Sequence, residues 1–364
     1  MIINAIESAT SKSVLSPCYN YCFSKATGRF VRWGHALADN PRMSPCGPEI
    51  ADIEISVNGC PNGNPNNPNS CQFCYKSNTN QPAINMSLMT LQQILAKFPR
   101  VDGIMPLTQI AFGITGTQTN PEFLDMLAYC RELGIIPNFT LSGIDATDEF
   151  IQQAAKYVGA VAASAYPSDK QVCYNTVAKF LAAGVKQTNI HLLYHADNLP
   201  FVYEVLTDIQ HDPRLAQLNA VVLLALKPMG RGSQYQPLPQ ADFDRLVQYA
   251  FDQQIPLGFD SCSTPKFLRW LESSNLLAAR KKEIETSVEP CESTLFSIYI
   301  NVHGMAYPCS FAESMIPGVS VLEADSIMEI WYSKLFTDFR KRLLNSGKCF
   351  DRRECILYPA INEE

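Results

Sequence analysis

The stretch IEISVNGCPNGNPNNPNSCQFCY, residues 53–75, decides the fold of this chain. It opens with a short β-prone run that ends at Val57, and Cys60 follows almost at once. Cys71 and Cys74 close the loop as a Cys-x-x-Cys pair, which places two sulfurs on one tight turn, within reach of one metal ion or one cluster edge. Three thiolates satisfy three irons of a [4Fe–4S] cube and leave the fourth iron open.

Two other interpretations of these cysteines remain open. A zinc knuckle would use the same three thiolates together with a fourth ligand from elsewhere in the chain. A thioredoxin-type redox pair would need only the Cys-x-x-Cys turn, although that motif normally opens a helix in a much smaller fold. An open coordination position separates a reactive metal centre from a structural one, so the identity of the metal decides what this loop does.

A regular alternation of strand-like and helix-like segments follows the loop. The strand-like segments lie at 109–114, 136–141, 160–165, 189–194, 220–226 and 256–259. Several of them are apolar throughout, as is typical of parallel strands that are covered on both faces. Six or seven β-α units in a row predict an α/β chain that forms a partial or full (β/α) barrel, with a doubly wound open sheet as the competitor. In either architecture the chemistry belongs at the C-terminal ends of the strands.

The strand, the three-cysteine loop and the β-α series together resemble the radical S-adenosylmethionine (SAM) superfamily. The signature of that family has three cysteines separated by three and then two residues, with an aromatic residue after the last. This chain keeps the second spacing and the aromatic residue, Tyr75, but ten residues, Pro61 to Ser70, separate Cys60 from Cys71. Asn, Pro and Gly favour loops, so this segment can bulge outward without moving the sulfurs.

The resemblance also implies where SAM would bind. In the family a glycine-rich turn after the second strand meets the methionine amino group, and here residues 113–118 read GITGTQ. Glycine permits such a close approach because it has no β-carbon. Hydroxyls at the ends of the third and fourth strands would bind ribose or carboxylate, unless they only cap the next helix. The expected cofactor-binding residues are Tyr75, Gly113, Thr115, Gly116, Thr117, Gln118, Ser142 and Ser164.

A second group of cysteines lies in the last quarter of the chain, after a charged helical segment at 270–285. Cys291 precedes a hairpin-like segment and then Gly304-x4-Cys309, which resembles the opening of the SPASM and twitch domains that carry auxiliary [4Fe–4S] clusters in radical SAM enzymes. The resemblance implies one auxiliary cluster with the metal ligands Cys291, Cys309, Cys349 and Cys355. Cys262 either replaces Cys349 as a ligand or faces the substrate, and a single zinc site remains the alternative.

Weaker candidates stand at other strand ends. Asp260 and Cys262 follow the last predicted strand, where we expect catalytic residues, and Asp260 is either a proton acceptor or a simple cap for Ser261. His191 and His195 lie on or just past one strand and on the same face, where packing or solvent exposure explains them more readily than substrate binding or proton transfer. The turn at 227–232 resembles one in relatives with extra clusters, and a plain surface turn explains it equally well.

Composition limits the class of protein. The chain has 364 residues, of which 46% are hydrophobic and 18% charged, so it is not a disordered chain. Its net charge of −6 argues against broad binding to nucleic-acid phosphates. No apolar run approaches the length needed to span a membrane, and no secretory signal opens the chain, so we expect a cytoplasmic protein.

We expect an N-terminal extension (1–50) roofing the barrel mouth, the barrel (51–262) and a small cysteine-rich auxiliary-cluster domain (263–364).

The resemblance implies a radical SAM enzyme, in which reductive cleavage of SAM at a [4Fe–4S] cluster yields a 5′-deoxyadenosyl radical that abstracts hydrogen from a substrate. SPASM- and twitch-bearing relatives favour a peptide or protein side chain as that substrate. A nucleoside or nucleic-acid base is the second candidate, and a non-catalytic zinc-binding module is the third. The chemistry also implies an external electron donor such as a flavodoxin or a ferredoxin.

Overall fold

The computed structural model describes residues 3–64, 66 and 71–362, so half of the predicted bulge between Cys60 and Cys71 lies outside the described residues. The chain begins with an antiparallel sheet in which each strand pairs with the next along the chain. Its strands are β1 (Asn4–Glu7), β2 (Ser11–Leu15), β3 (Asn20–Ser24) and β4 (Phe30–Trp33).

A β-α series follows this sheet. Three strands come before the first helix, namely β5 (Ile50–Glu54), β6 (Ser56–Val57) and β7 (Ile84–Asn85). Helices and strands then alternate as α1 (Leu88–Ala96), β8 (Gln109–Gly113), α2 (Phe123–Glu132), β9 (Ile136–Leu141), α3 (Asp148–Ala154), β10 (Ala160–Ser164), α4 (Lys170–Ala182), β11 (Gln187–Tyr194), α5 (Leu199–His211), β12 (Ala220–Ala225), α6 (Gln240–Asp252) and β13 (Leu257–Phe259).

The remaining elements belong to the C-terminal segment. They are α7 (Thr264–Ser273), α8 (Ala278–Glu285), β14 (Ser297–Ile300), β15 (Met305–Tyr307), β16 (Val319–Ser320), α9 (Ile327–Trp331) and α10 (Lys334–Leu344). The predicted helical segment at 270–285 is therefore divided between two helices. The predicted hairpin is present as the antiparallel pair of β14 and β15, and Gly304 occupies its turn with a φ of 73°.

Within the described residues, ten strands form one sheet in the order β13-β12-β11-β10-β9-β8-β5-β14-β15-β16. Every pair from β13 to β14 is parallel, and the last two pairs are antiparallel. Since β13 and β16 are free edges of this sheet, the barrel is open. The predicted α/β barrel class is confirmed, and it takes the partial form.

The strands bury their two faces in different ways. In β11, alternate residues such as Ile190 and Leu192 are fully buried and pack among the core residues that lie under the helices. The residues between them, among them His191, face inward and are only partly buried. This alternation arises because the inner face lines a cavity, whereas the sequence suggests strands covered equally on both faces.

The N-terminal sheet covers the barrel at the end opposite to the predicted one. Lys12 Nζ donates hydrogen bonds of 2.9 Å to the carbonyls of Met105 and Leu107, and Tyr21 Oη donates one of 2.5 Å to the carbonyl of Pro106. These carbonyls come just before β8, and so they lie at the N-terminal ends of the strands. The expectation that this segment roofs the mouth is therefore wrong, because its polar anchors engage the bottom of the barrel.

The C-terminal segment continues the barrel sheet, because β14 pairs in parallel with β5 from Ser297–Ile50 to Ile300–Ile53. The predicted boundaries at residues 50 and 262 remain predictions. Across the described part of the chain, no helix has both the length and the apolar character that a bilayer crossing requires.

Candidate functional site

A cavity of about 420 Å³ lies at the C-terminal ends of the barrel strands. The three sulfur-bearing residues of the first loop, Cys60, Cys71 and Cys74, all line it. Five of the eight residues expected to bind SAM line the same cavity: Tyr75, Gly113, Thr115, Ser142 and Ser164. The structure therefore brings together the cysteine loop and the strand ends, as the sequence predicts.

The described ends of the cysteine loop meet each other. Asn58 and Gly59 both adopt a positive φ, which reverses the chain after β6. The backbone N–H of Cys60 then donates to the carbonyl of Thr79 at 3.0 Å, and the N–H of Cys71 donates to the carbonyl of Asn62 at 3.2 Å. The two sides of the insertion thus meet at Asn62, which agrees with an insertion that does not displace the sulfurs.

The donor set at this cavity fits a thiolate-bound cluster. Burial raises the pKa of the Cys60 thiol and raises the pKa of Cys71 to about 12, so thiolates here need a positive partner. Arg231 Nη2 and Asn62 Nδ2 are buried N–H groups that find no acceptor among the described residues, and both side chains line the cavity. Unpaired buried donors suit the sulfides of a cluster or the carboxylate of a ligand.

A single metal ion fits the cysteines less well. Over the residues that the structure describes, no three His, Cys, Asp or Glu side chains converge closely enough to hold one ion. A structural zinc site requires four ligands at about 2.0–2.3 Å from one centre. The zinc interpretation stays the alternative prediction for both groups of cysteines.

Three residues expected to bind SAM lie away from the cavity: Gly116, Thr117 and Gln118. Thr117 Oγ1 donates to the carbonyl of Asp145 at 2.9 Å, and the backbone N–H of Gln118 donates to its carboxylate at 3.2 Å. Because β8 ends at Gly113, only the first residues of the turn face inward. The structure does not place these three residues at the cavity, since the turn has already bent toward α2.

Sequence reasoning missed an ion-pair network on the cavity wall. Lys76 Nζ lies 3.0 Å from Glu54 Oε1, donates to Tyr299 Oη at 2.8 Å and contacts the carboxylate of Glu313. Asn301 also donates to Glu313, at 2.7 Å. The network ties the cysteine loop to β5 and to the C-terminal segment. No local pattern indicates it, because its members are distant in sequence.

Asp52 and His191 were also missed as cavity residues. Asp52 lies on β5 and lines both this cavity and a second one, and burial together with the charge of Glu292 raises its pKa to about 6. Burial lowers the pKa of His191 to about 4, so its ring is neutral, with Nδ1 3.2 Å from Thr140 Oγ1. Sequence reasoning favoured simple packing for His191, whereas its ring lines the cavity.

The second cavity, of about 250 Å³, collects the later cysteines. It is lined by Cys262, Cys291, Cys309 and Cys355. The Cys262 thiol donates to the Cys355 sulfur, which raises the pKa of Cys262 and lowers that of Cys355. Cys349 is exposed and does not line this cavity. The group that the structure assembles is therefore the one in which Cys262 takes the place of Cys349.

Asp260 does not face either cavity. Its carboxylate forms an ion pair with Lys227 and accepts a hydrogen bond of 3.0 Å from the backbone N–H of Ser263, at the start of α7. Asp260 thus closes a short turn onto Ser263, the residue before α7, and both of its carboxylate oxygens have partners. The catalytic role predicted for Asp260 stays a prediction.

Comparison with known proteins gives two results. Residues 291–355 match the family model of SPASM, described as an iron–sulfur cluster-binding domain. Among solved structures, Streptococcus suis SuiB is similar, with a TM-score of 0.65 and 14% identity over 98% of this chain and 93% of that one. No curated protein matches the sequence of this chain.

Two ligand-bound structures are also similar. SuiB bound to the precursor peptide SuiA has a TM-score of 0.59 and 16% identity, covering 87% of this chain and 71% of that one. The structure of anSMEcpe with bound AdoMet and Cp18Cys peptide has a TM-score of 0.58 and 14% identity, covering 81% of this chain and 83% of that one. At these identities the likeness shows the fold, and the SPASM match confirms the predicted iron–sulfur C-terminal domain.

Proposed function

Given a radical SAM fold that carries a SPASM domain, we propose that this chain cleaves SAM reductively and modifies a peptide or protein side chain. The observation that carries the proposal is the single cavity lined by Cys60, Cys71 and Cys74 together with the strand-end residues Gly113, Ser142 and Ser164. The cysteine loop alone could bind another metal, and polar strand ends alone are common in barrels. Because both line one cavity, they support a site for a cluster and SAM.

Different residues of this cavity would bind the cluster and SAM. Cys60, Cys71 and Cys74 would hold a [4Fe–4S] cluster, and the bound cluster and SAM together supply a 5′-deoxyadenosyl radical. Gly113 and Thr115 would meet the methionine amino group. Ser142 and Ser164 would present hydroxyls to the ribose or the carboxylate, and with Tyr75 these four are the predicted cofactor-binding residues that line the cavity.

The second cavity would hold the auxiliary cluster. We assign its ligands as Cys262, Cys291, Cys309 and Cys355, because these four thiols line one cavity while Cys349 does not. The auxiliary cluster would accept an electron from the product radical or anchor the substrate. An external one-electron donor, such as a flavodoxin or a ferredoxin, would reduce the first cluster.

A peptide substrate is favoured by two observations. Both SuiB and anSMEcpe have been solved with peptides bound, and their fold is the fold of this chain. The two cavities, moreover, share Asp52 and Ser310 as lining residues, so a side chain held in the first cavity would lie next to the auxiliary site. The acidic balance of the chain gives no comparable support to a nucleic-acid substrate.

The triple variant Cys60→Ala, Cys71→Ala, Cys74→Ala tests the proposal. Anaerobically loaded wild-type protein, reduced with dithionite and given SAM, should release 5′-deoxyadenosine, and the triple variant should release none. The variant should also lose about four irons and keep about four at the auxiliary site. The control is Cys130→Ala, a buried helix residue outside both cavities, which should keep full cleavage.

The same assay distinguishes the substrate classes. With mixed peptides from cells grown in deuterated medium, we expect deuterium in the released 5′-deoxyadenosine. Deuterated nucleosides should give none. Cleavage that persists in the triple variant would refute the site assignment, and transfer from nucleosides alone would refute the peptide substrate.

A further inference from the structure

One turn, residues 227–232 after β12, reaches both groups of cysteines. At its far end Arg231 donates to the first cysteine loop twice, from Nε to the carbonyl of Cys71 at 2.9 Å and from the backbone N–H to the carbonyl of Cys74 at 3.0 Å. Gly230 has a φ of 56°, and a Cβ there would lie only 2.6 Å from the carbonyl oxygen of Cys74. This end of the turn therefore packs directly on the first metal site.

The near end of the turn packs on the auxiliary site. Lys227 is only 6% exposed and forms an ion pair with Asp260, two residues before Cys262. Its Nζ lies 4.8 Å from the ring centre of Phe311, which lines the auxiliary cavity. A buried ammonium is costly to desolvate, and Asp260 supplies the negative charge that keeps this one beside the auxiliary cavity.

The middle of the turn also contacts the auxiliary loop. Tyr358 Oη donates to the sulfur of Met229 at 3.1 Å, and the backbone N–H of Tyr358 donates to the sulfur of Cys355 at 3.4 Å. The six residues of this turn thus touch the loop of Cys71 and Cys74 on one side and the loop of Cys355 on the other.

Asp260 does not cancel the charge of Lys227 completely. One carboxylate oxygen of Asp260 pairs with Lys227, whereas the other accepts a hydrogen bond of 3.0 Å from the backbone N–H of Ser263, at the positive N-terminal end of α7. Part of the negative charge is therefore neutralised by the helix, and the buried cation lies beside Phe311 at the auxiliary cavity. Positive charge near an iron–sulfur cluster stabilises its reduced, more negative form.

We propose that Lys227 raises the reduction potential of the auxiliary cluster, and that the turn at 227–232 joins the two metal sites into one structural unit. The proposal rests on the proposed function, because it requires a cluster at Cys262, Cys291, Cys309 and Cys355. In it Lys227 is a positioning and tuning residue, which touches neither substrate nor SAM.

The test is the midpoint potential of the auxiliary cluster, followed by electron paramagnetic resonance during a redox titration. The full chain is used with Cys60, Cys71 and Cys74 replaced by Ala, so that the auxiliary cluster alone gives the signal. Lys227→Met should lower the equilibrium constant for reduction of the cluster about tenfold. The midpoint potential should therefore fall by about 59 mV, the value for a one-electron couple. Lys227→Arg keeps the charge and should stay near the parent value.

Two further variants separate charge from structure. Asp260→Asn removes the negative partner and should move the potential in the opposite direction, whereas general damage to the site would move both variants alike. If Lys227→Met fails to fold because Asp260 is left unpaired, the double variant Lys227→Met, Asp260→Asn should still show the lower potential. Unchanged potentials in Lys227→Met and in the double variant would overturn the inference. A parent protein without an auxiliary cluster would instead refute the proposed function.

Discussion

Asp52 shows how one side chain acquires properties that its place in the sequence does not reveal. It sits in a parallel strand between buried neighbours, yet its carboxylate lies between two cavities. Burial and the charge of Glu292 raise its pKa to about 6, and no cation offsets them among the groups that shift it. Since the folded state holds this proton more tightly than the unfolded state, ionisation of Asp52 costs stability.

Asp52→Asn should therefore stabilise the protein at high pH. The variant should exceed wild type by on the order of 2 kcal/mol at pH 8. That difference should shrink as the pH falls through 6 toward 4, because the wild-type carboxyl is then protonated as well. Thermal unfolding of the two proteins between pH 5 and pH 8 measures it. Asp125→Asn, on the exposed side of α2, should show no such trend, and a constant gap for Asp52→Asn would contradict the expectation.

For individual residues, the spacing of the cysteines is the strongest guide to the site. Cys-x-x-Cys fixes two sulfurs locally, so the sequence alone places Cys71 and Cys74 side by side. Thr117 and Gln118 do not line the cavity, because spacing along a turn does not tell where the backbone bends. Asp52 carries no signal, because one acidic residue in a strand looks like any other.

Among the elements, the turn at 227–232 has an ambiguous sequence signal, and it contacts both candidate metal sites. Its residues are equally compatible with a plain surface turn. Their function depends on the carbonyls of Cys74 and Tyr75, which come from more than a hundred residues upstream. The strands were easier to predict. The segment at 136–141 is observed as predicted, and the apolar run at 220–226 is observed to within one residue. The division between α7 and α8 was missed because the sequence between them lacks a strong breaker.

Gly230→Ala should release the first cysteine loop. The new methyl group would meet the carbonyl oxygens of Cys74 and Tyr75, so the loop must shift, and the first cluster should be lost while the auxiliary one remains. Iron and sulfide analysis checks this result. Gly184→Ala is the matched control, because Gly184 also has a positive φ of 90° but nothing lies within 4 Å of the added atom. It should cost only about 1 kcal/mol of backbone strain, and equal iron loss in both variants would contradict the argument.

For the whole molecule, the C-terminal segment is part of the barrel sheet. β14 is the neighbour of β5, and the network of Glu54, Lys76 and Glu313 crosses the same seam. The sequence predicts a separate cysteine-rich domain but not this pairing, since β14 is too short to indicate its partner. The location of the N-terminal sheet was also unpredictable, because a buried Lys12 reveals its carbonyl partners only in three dimensions.

Deletion of residues 291–364 should therefore damage both metal sites. Without β14, β5 becomes an exposed edge strand, which favours aggregation and loosens the first cysteine loop. The variant Cys291→Ala, Cys309→Ala, Cys355→Ala keeps the strand and should retain about four irons at the first site. Iron content and EPR spectra of the two proteins make the comparison. A soluble truncated chain with an intact first cluster would show that the pairing of β14 with β5 is not needed for the first site.

The parallel pairing of β14 with β5 also dictates an order of events during synthesis. The first barrel strand leaves the ribosome well before its neighbour on one side, and Cys355 emerges later still. Neither the sheet nor the second set of thiols can close before then. A nascent chain that stalls before β14 therefore lacks both the strand that covers β5 and the thiols of Cys309 and Cys355.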